Sequence, residues 1–349
     1  MKLLFLDPTP PGRTSGNMTT RVRLEGHWRQ LGHEVTPFYV RGESPLDEEA
    51  LIEDLRSSDL VIALHSGYCQ RALEVLREQN FTVPLVYIVS GTDLFQPLLD
   101  HGETSADFRS ACLDAEVIVT LAKGLQAYFP EAYREVWSAK TQTIVQGAQC
   151  VDWDRTRINP SLAVVIGHLR PIKDPWLPVN ALRSLVADEA SSSLLPLEIC
   201  HYGGLLEGEG EQKVATIEEQ FEGSAQRWCW KREASIAEIR ELMTEGPLLI
   251  HPSIHEGGAN VIGEFLVSGL PILASRAPGN VGLLGEDWPG LFDVGDQLQL
   301  ANLLRRWLES EVFREELIEA SGRLSAQHDL FQEREAWSEL LSELENRDN

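Results

Sequence analysis

Positive charge is what this chain has least of. Only 30 Lys and Arg face 54 Asp and Glu across 349 residues, a formal net charge of −24. Nucleic acid and anionic membrane surfaces repel so acidic a chain, and neither is expected as a partner. Cysteine is also scarce. The five (Cys69, Cys112, Cys150, Cys200 and Cys229) are odd in number, scattered, and without metal-ligand spacing. Reduced thiols in a cytoplasmic protein are the expectation, with no disulfide framework and no bound metal. Long apolar runs are missing too. Leu3-Leu4-Phe5-Leu6 stops at Asp7-Pro8, too short for a signal peptide core or a membrane span. It reads as a buried first strand, and the chain as soluble. Repeats, low-complexity tracts and coiled-coil heptads are absent.

What is present alternates. Short apolar runs at 2–6, 34–40, 59–64, 84–90 and 116–121 form one series. A second comprises 162–167, 196–202, 227–231, 247–252 and 270–275. They are rich in Leu and β-branched residues and lack clean alternation, as strands buried on both faces do. Helical stretches lie between them, including 17–31, 71–79 and 175–187. This is the βαβ signature of an α/β protein with parallel sheets. The polar, proline-bearing stretch 152–161 separates the series. Two doubly wound, Rossmann-like domains are predicted, 1–155 and 156–328, facing a central cleft. After residue 296 the chain turns helical, and Trp337, Leu340, Leu341 and Leu344 form an apolar stripe that needs a partner surface. The last helix, 329–349, is expected to cross back to the first domain.

Ligands of doubly wound sheets bind at the carboxyl ends of the strands, so the loops after strands carry the functional reading. The most informative runs from His255 through Glu256, Gly257, Gly258, Ala259 and Asn260 to Glu264, between the strands 247–252 and 270–275. Strand, glycine loop and helix together aim backbone N–H groups and a positive helix end at one spot, where a diphosphate can sit. Glu256 lies in the loop, and Glu264 is expected about two turns into the helix. Both carboxylates suit the hydroxyls of a nucleotide-sugar.

Arg170 and Lys173 follow the first strand of the second domain and suit a diphosphate leaving group. After the first strand of the chain comes a glycine-bearing loop with Arg13, Gly16 and Asn17, either a phosphate approach or an ordinary turn. His65 follows the third strand as a general base or a hydrogen-bond donor to the sugar. Thr92 and Asp93 follow the fourth, and Asp93 suits a helix cap. The loop 277–282 covers a base or a sugar, or simply turns the chain.

These residues carry a resemblance. HEGGANVIGEFLVSGLPILAS resembles the Glu-x7-Glu donor segment of the GT-B glycosyltransferases that include sucrose and glycogen synthases and mannosyltransferases, and LGHEV (31–35) resembles their run into the second strand. The resemblance implies that Glu264 binds the ribose, Glu256 the donor sugar, and Arg170 with Lys173 the diphosphate. A narrower likeness spans nearly the whole chain. GNMTTRVRLEGHWRQLGHEV, DLVIALH, GTDLF, IVQGA, GHLRPIKDPW, HEGGANVIGE, APGNVGLLG and WPGLF resemble the bacterial selenosugar synthase family. That family is similar to donor-binding glycosyltransferases but uses selenophosphate as acceptor, transferring N-acetylglucosamine from UDP to selenium on the way to selenoneine. The likeness implies two small-molecule substrates, a UDP-sugar and an anionic acceptor such as selenophosphate. A metal-independent mechanism with no cofactor is expected, on the reading that no Asp-x-Asp motif for a donor-bridging metal is present. The chain departs from that pattern at Met18 and at Gly67-Tyr68-Cys69, where arginines are expected. Arg13, Arg21, Arg23 and Arg71 remain as candidate anion ligands on the acceptor side, beside His65, Thr92 and Asp93. Two other readings stay open: an O-glycosyltransferase for a small-molecule or glycan hydroxyl, and a nucleotide-sugar-binding protein without transfer activity.

Overall fold

All ten apolar runs form strands in the computed structural model, which describes residues 1–9, 16–41, 45–80, 82–187, 194–205 and 211–347. The chain divides into two units. The first comprises Met1–Gly147, Glu256–Asn260 and Leu330–Asn349, and the second Ala148–His255 and Val261–Asp329.

In the first unit the strands are β1 (Lys2–Asp7), β2 (Glu34–Tyr39), β3 (Leu60–Leu64), β4 (Leu85–Val89), β5 (Val117–Thr120) and β6 (Thr141–Thr143). They form one parallel sheet in the order β2-β1-β3-β4-β5-β6. Leu60–Leu64 and Leu85–Val89 are buried at every position, as strands covered on both faces must be. The chain reverses direction across the sheet between β1 and β3. The loops after those strands lead into α1 (Gly16–Gln30) and α3 (Ser66–Glu78). Edge strand β6 has no apolar residue, so no hydrophobic pattern announces it.

The apolar stripe of the last helix, α14 (Leu330–Arg347), packs into this unit's core. Trp337, Leu340, Leu341 and Leu344 join Leu3, Phe5, Leu24 and Trp28 there. Trp28 lies edge-on to both Phe5 and Trp337, with centroids 5.2 and 5.1 Å away, the favourable quadrupole geometry.

In the second unit β7 (Leu162–Ile166), β8 (Leu197–Tyr202), β9 (Gln226–Arg232), β10 (Leu248–His251), β11 (Ile272–Ser275) and β12 (Leu291–Phe292) form a parallel sheet in the order β12-β11-β10-β7-β8-β9. The reversal falls between β7 and β10. Helix α7 (Leu177–Ala187) follows β7, and α10 (Asn260–Ser268) follows β10. The second unit begins at Ala148, ahead of the expected boundary at 155. The polar stretch from 152 belongs to its fabric: Val151 N donates to Ser268 Oγ at 3.0 Å and Trp153 Nε1 to Ser268 O at 2.8 Å. Among the described residues no helix is long and apolar enough to cross a membrane.

Candidate functional site

In the second unit, the loops after β7 and β10 flank the point where strand order reverses, the crevice at which such sheets bind ligands. The β7 loop is pinned from two sides. Gly167 N donates to Tyr202 O at 2.8 Å and Leu169 N to Gly204 O at 2.9 Å, while His201 Nε2 donates to Gly167 O at 3.0 Å. A Cβ at Gly203 would run into the Gly167 carbonyl, so glycine is required there. Burial pushes the His201 imidazole down to about 4, partly opposed by its bond to Gly167 O.

Arg170 opens a 3₁₀ turn, Pro171–Lys173, closed by Asp174 in the left-handed region at φ 43°. Ile172 O accepts from Ile254 N at 2.9 Å, tying this loop to the one after β10. That bond ties the turn bearing Arg170 and Lys173, both half-buried, to Ile254, three residues past the end of β10. Arg170 makes no ion pair among the described residues. Glu264 is half-buried and is the fifth residue of α10, one turn into the helix rather than two, because the helix starts at Asn260.

A buried polar chain supports the strand ends. Asn280 Nδ2 donates to Ser275 O and Oγ at 3.1 Å, Ser275 Oγ donates to Ser253 O, and Ser253 Oγ lies 3.3 Å from His251 Nε2. The stretch 277–282 is therefore no cover loop: Pro278 starts helix α11 (Pro278–Leu284) and Asn280 faces inward.

Glu256–Asn260 counts with the first unit. Gly91, at φ +105°, and Gly257 meet backbone to backbone; a Cβ on either would strike the other. The glycine pair is thus explained by close packing as well as by free N–H groups. Gly258 O accepts from Gln146 Nε2 at 2.7 Å. Asn260 Oδ1 accepts from Arg23 at 2.9 Å, and its Nδ2 donates to Gly16 O at 3.3 Å. Gly16 and Asn17 open α1, and Ala259 is buried.

His65 caps α3 from a strained backbone at φ 70°. Its Nδ1 accepts from Tyr68 N at 3.3 Å, which places the ring proton on Nε2, and Nε2 donates to Thr92 Oγ1 at 3.1 Å. Burial lowers its pKa, with Asp93 opposing and Arg41 assisting. Both ring nitrogens are thus engaged within the unit, Nδ1 as acceptor and Nε2 as donor. Tyr68 stacks on His65 at 3.8 Å and carries the Arg41 guanidinium on its ring at 4.1 Å. Arg41 went unremarked in the sequence because it lies outside every motif.

Asp93 is a buried hub, not the N-cap, which is Gly91. It accepts from Tyr87 Oη at 2.6 Å, Gly91 N at 2.9 Å, Leu94 N at 3.1 Å and Ser66 N at 3.2 Å. It fixes the loops after β3 and β4 rather than binding an acceptor.

The arginines expected to bind an anion are engaged elsewhere. Arg21 pairs with Asp7 and Glu25, both at 2.9 Å. Arg23 pairs with buried Glu333 at 2.7 Å and also bonds Gln146. Arg71, on the surface, is held by Glu48, Glu74 and Glu78. Arg13 lies outside the described residues.

The expectation that no Asp-x-Asp motif is present is wrong: Asp152-Trp153-Asp154 has that spacing. Asp154 instead caps a turn, accepting from Thr156 N at 3.0 Å and Oγ1 at 2.7 Å.

Residues 155–323 match the family model Glycosyl transferases group 1. Among solved structures, the chain is similar to Anabaena Alr3699/HepE in complex with UDP and glucose, at 20% identity and TM-score 0.71 over 98% of this chain and 100% of that one. It is also similar to the sucrose-phosphate synthase of Thermosynechococcus elongatus, at 14% identity and TM-score 0.73 over 99% of each chain. A third is the apo lipopolysaccharide outer core galactosyltransferase WaaB, at 13% identity and TM-score 0.67 over 98% of this chain and 100% of that one. These likenesses establish the fold, two parallel α/β units of the GT-B type, and within it the stretch 155–323, a little under half of the chain, is similar to glycosyl transferases group 1.

Proposed function

We propose that this protein transfers a sugar, N-acetylglucosamine, from its UDP conjugate to selenophosphate. The observation that carries the donor half is the convergence of Arg170, Lys173 and the helix bearing Glu264 at the reversal point of the second sheet. In this reading Arg170 and Lys173 take the diphosphate and Glu264 the ribose. Glu256 and the backbone of Gly257–Asn260 take the sugar. The bond from the anomeric carbon to the diphosphate oxygen breaks, and its electron pair leaves with UDP. Arg170 and Lys173 offset the charge that develops. The selenium lone pair forms the new bond to carbon. No metal or cofactor enters the scheme. The chain's own cytoplasmic, small-molecule chemistry would then feed selenoneine formation.

Selenophosphate as acceptor rests on the likeness to selenosugar synthases. A second reading, an O-glycosyltransferase acting on a hydroxyl, is favoured by one observation: Arg21, Arg23 and Arg71 are each bound by carboxylates. The test is UDP release from UDP-N-acetylglucosamine with selenophosphate, thiophosphate and a panel of sugar and polyol hydroxyls. Release that depends on selenophosphate supports the first reading. Release with hydroxyl acceptors alone overturns it in favour of the second. Tight UDP-sugar binding without release under any acceptor would make the chain a binding protein.

A further inference from the structure

Cys200 and Cys229 are 29 residues apart in sequence, yet they are register partners on the neighbouring parallel strands β8 and β9. Their sulfurs lie 3.4 Å apart. Glu198, two residues before Cys200, projects to the same face of β8, and its Oε1 lies 3.5 Å from Cys229 Sγ. All three ligand atoms fall within 4.8 Å of one another, the one such triad of His, Cys or carboxylate groups among the described residues.

We infer that Glu198, Cys200 and Cys229 form a binding site for a soft divalent cation of the zinc and cadmium class. Tetrahedral zinc, with Zn–S and Zn–O bonds of about 2.3 and 2.0 Å, sets its ligands about 3.8 Å apart for two sulfurs and about 3.5 Å apart for sulfur and oxygen. The triad already presents both edges, and the sulfurs need open by only a few tenths of an ångström. Cys229 and Glu198 are half-buried while Cys200 is buried, so the fourth position faces solvent and suits water.

The surroundings split the two thiols: the hydrogen bond with Cys229 and burial push Cys200 up, so a cation there has to displace its proton. The Cys229 thiol is pushed down, first by the hydrogen bond from Cys200; burial opposes this and the Lys231 ammonium assists. Arg227 Nε holds Glu198 Oε1 at 3.1 Å, orienting the carboxylate as outer-shell partners of metal ligands do. Lys231 and Arg227 also balance the excess negative charge of two thiolates and a carboxylate around a dication. The consequence is a clip between β9, the sheet's edge strand, and β8. Strand β8 ends at Tyr202, whose carbonyl fixes Gly167 in the loop before Arg170.

The full-length chain, reduced with a non-thiol phosphine, should be titrated with Cd2+ while ultraviolet sulfur-to-cadmium charge transfer is recorded. We expect the band to saturate at one cation per chain, to vanish on addition of excess Zn2+, and to be lost in Cys229→Ser. Cys200→Ser should lose it too; because Cys200 is buried, the half-exposed Cys229 variant carries the test if that protein does not fold. Glu198→Gln should weaken binding roughly tenfold or more. Cys150→Ser, at the one exposed cysteine, should leave the band intact. A titration with no band at one equivalent overturns the site. So does a band that survives Cys229→Ser or disappears in Cys150→Ser. Unchanged affinity in Glu198→Gln removes the carboxylate and with it the three-ligand site.

Discussion

Glu333 offers the sharpest test of how the first unit holds the start of α1 and the segment 256–260. Its side chain is fully buried, and one oxygen, Oε2, accepts from Arg23 Nε at 2.7 Å, His27 Nε2 at 3.0 Å and Gly147 N at 3.0 Å. Arg23 then reaches onward to Gln146 and Asn260. Glu333→Ala removes the counter-charge of a guanidinium whose side chain is only 9% exposed. Deleting one partner of a buried pair costs about 3–5 kcal/mol, because the other charge stays behind. Glu333→Gln keeps an acceptor in place and should lose only the charge-assisted part, about 1.5–3 kcal/mol.

Native-state hydrogen exchange read by peptide mass reports this locally and is insensitive to whether the two units unfold together. Interior amides of Gly16–Gln30 and Leu330–Arg347 should exchange roughly a hundredfold or more faster in Glu333→Ala. Amides of Leu162–Ile166, in the second unit, should keep the parent rate. Adding Arg23→Met to Glu333→Ala removes the orphaned cation and should recover about half the loss. Acceleration below about fivefold, equivalent to about 1 kcal/mol, would refute the assignment of Glu333 as the counter-charge that holds Arg23.

Other outcomes follow from the same structure. Trp337→Ala empties a fully buried indole site beside Trp28 and should destabilise the chain by about 3–5 kcal/mol in urea unfolding, with Trp337→Phe costing less. His201, held near 4 against an unfolded value near 6.5, is neutral in the fold. Its contribution is complete above pH 6.5 and falls away as pH drops toward 4, by about 3 kcal/mol in all. A urea midpoint that declines over that window, and declines less in His201→Gln, would bear this out; identical pH profiles would not. Glu264→Ala should weaken UDP binding roughly tenfold to a hundredfold in calorimetry, and an unchanged affinity would remove Glu264 from the donor site.

Much of this fold can be read from the chain because parallel strands buried on both faces are written as continuous apolar runs. Every such run from Lys2–Asp7 to Ile272–Ser275 is a strand. Thr141–Thr143 and Leu291–Phe292 escape that reading because edge strands need little burial and are too short to carry a period. Helix α3 starts at Ser66 rather than near 71 because its cap is the imidazole of His65, which no capping pattern anticipates. That Arg170 and Lys173 fall in the loop after the first strand of the second sheet can be read from position alone. Partners supplied across the fold cannot. Nothing adjacent to Arg23 reveals Glu333, 310 residues away, and Cys200 meets Cys229 only through register. The ion pairs of Arg21, Arg23 and Arg71 are hidden for the same reason: which carboxylates surround a cation is decided in space.

That dependence makes Arg170 the most informative side chain for the proposed donor site. With carboxylates in large excess, many arginines in this chain find one, while half-buried Arg314 and Arg334 bond backbone carbonyls and an amide oxygen instead. Arg21, Arg23, Arg29, Arg71 and Arg77 each pair with a carboxylate. Arg170 is half-buried at the reversal point of the second sheet, and no carboxylate pairs with it among the described residues. A half-buried guanidinium with no counter-ion gives up hydration without recovering it in the fold, which is reasonable where an anionic ligand supplies the partner. The perturbation follows directly. Arg170→Gln breaks no ion pair and should leave urea stability within about 0.5 kcal/mol of the parent. UDP affinity should fall roughly tenfold to a hundredfold, the size of a lost charge-assisted bond, and its dependence on salt should flatten as one phosphate contact disappears. Arg23→Gln gives the converse pattern, with stability lost by breaking the pair with Glu333. If Arg170→Gln instead destabilised the chain and left UDP binding and its salt dependence intact, Arg170 would be a structural cation and the diphosphate would have to be sought elsewhere.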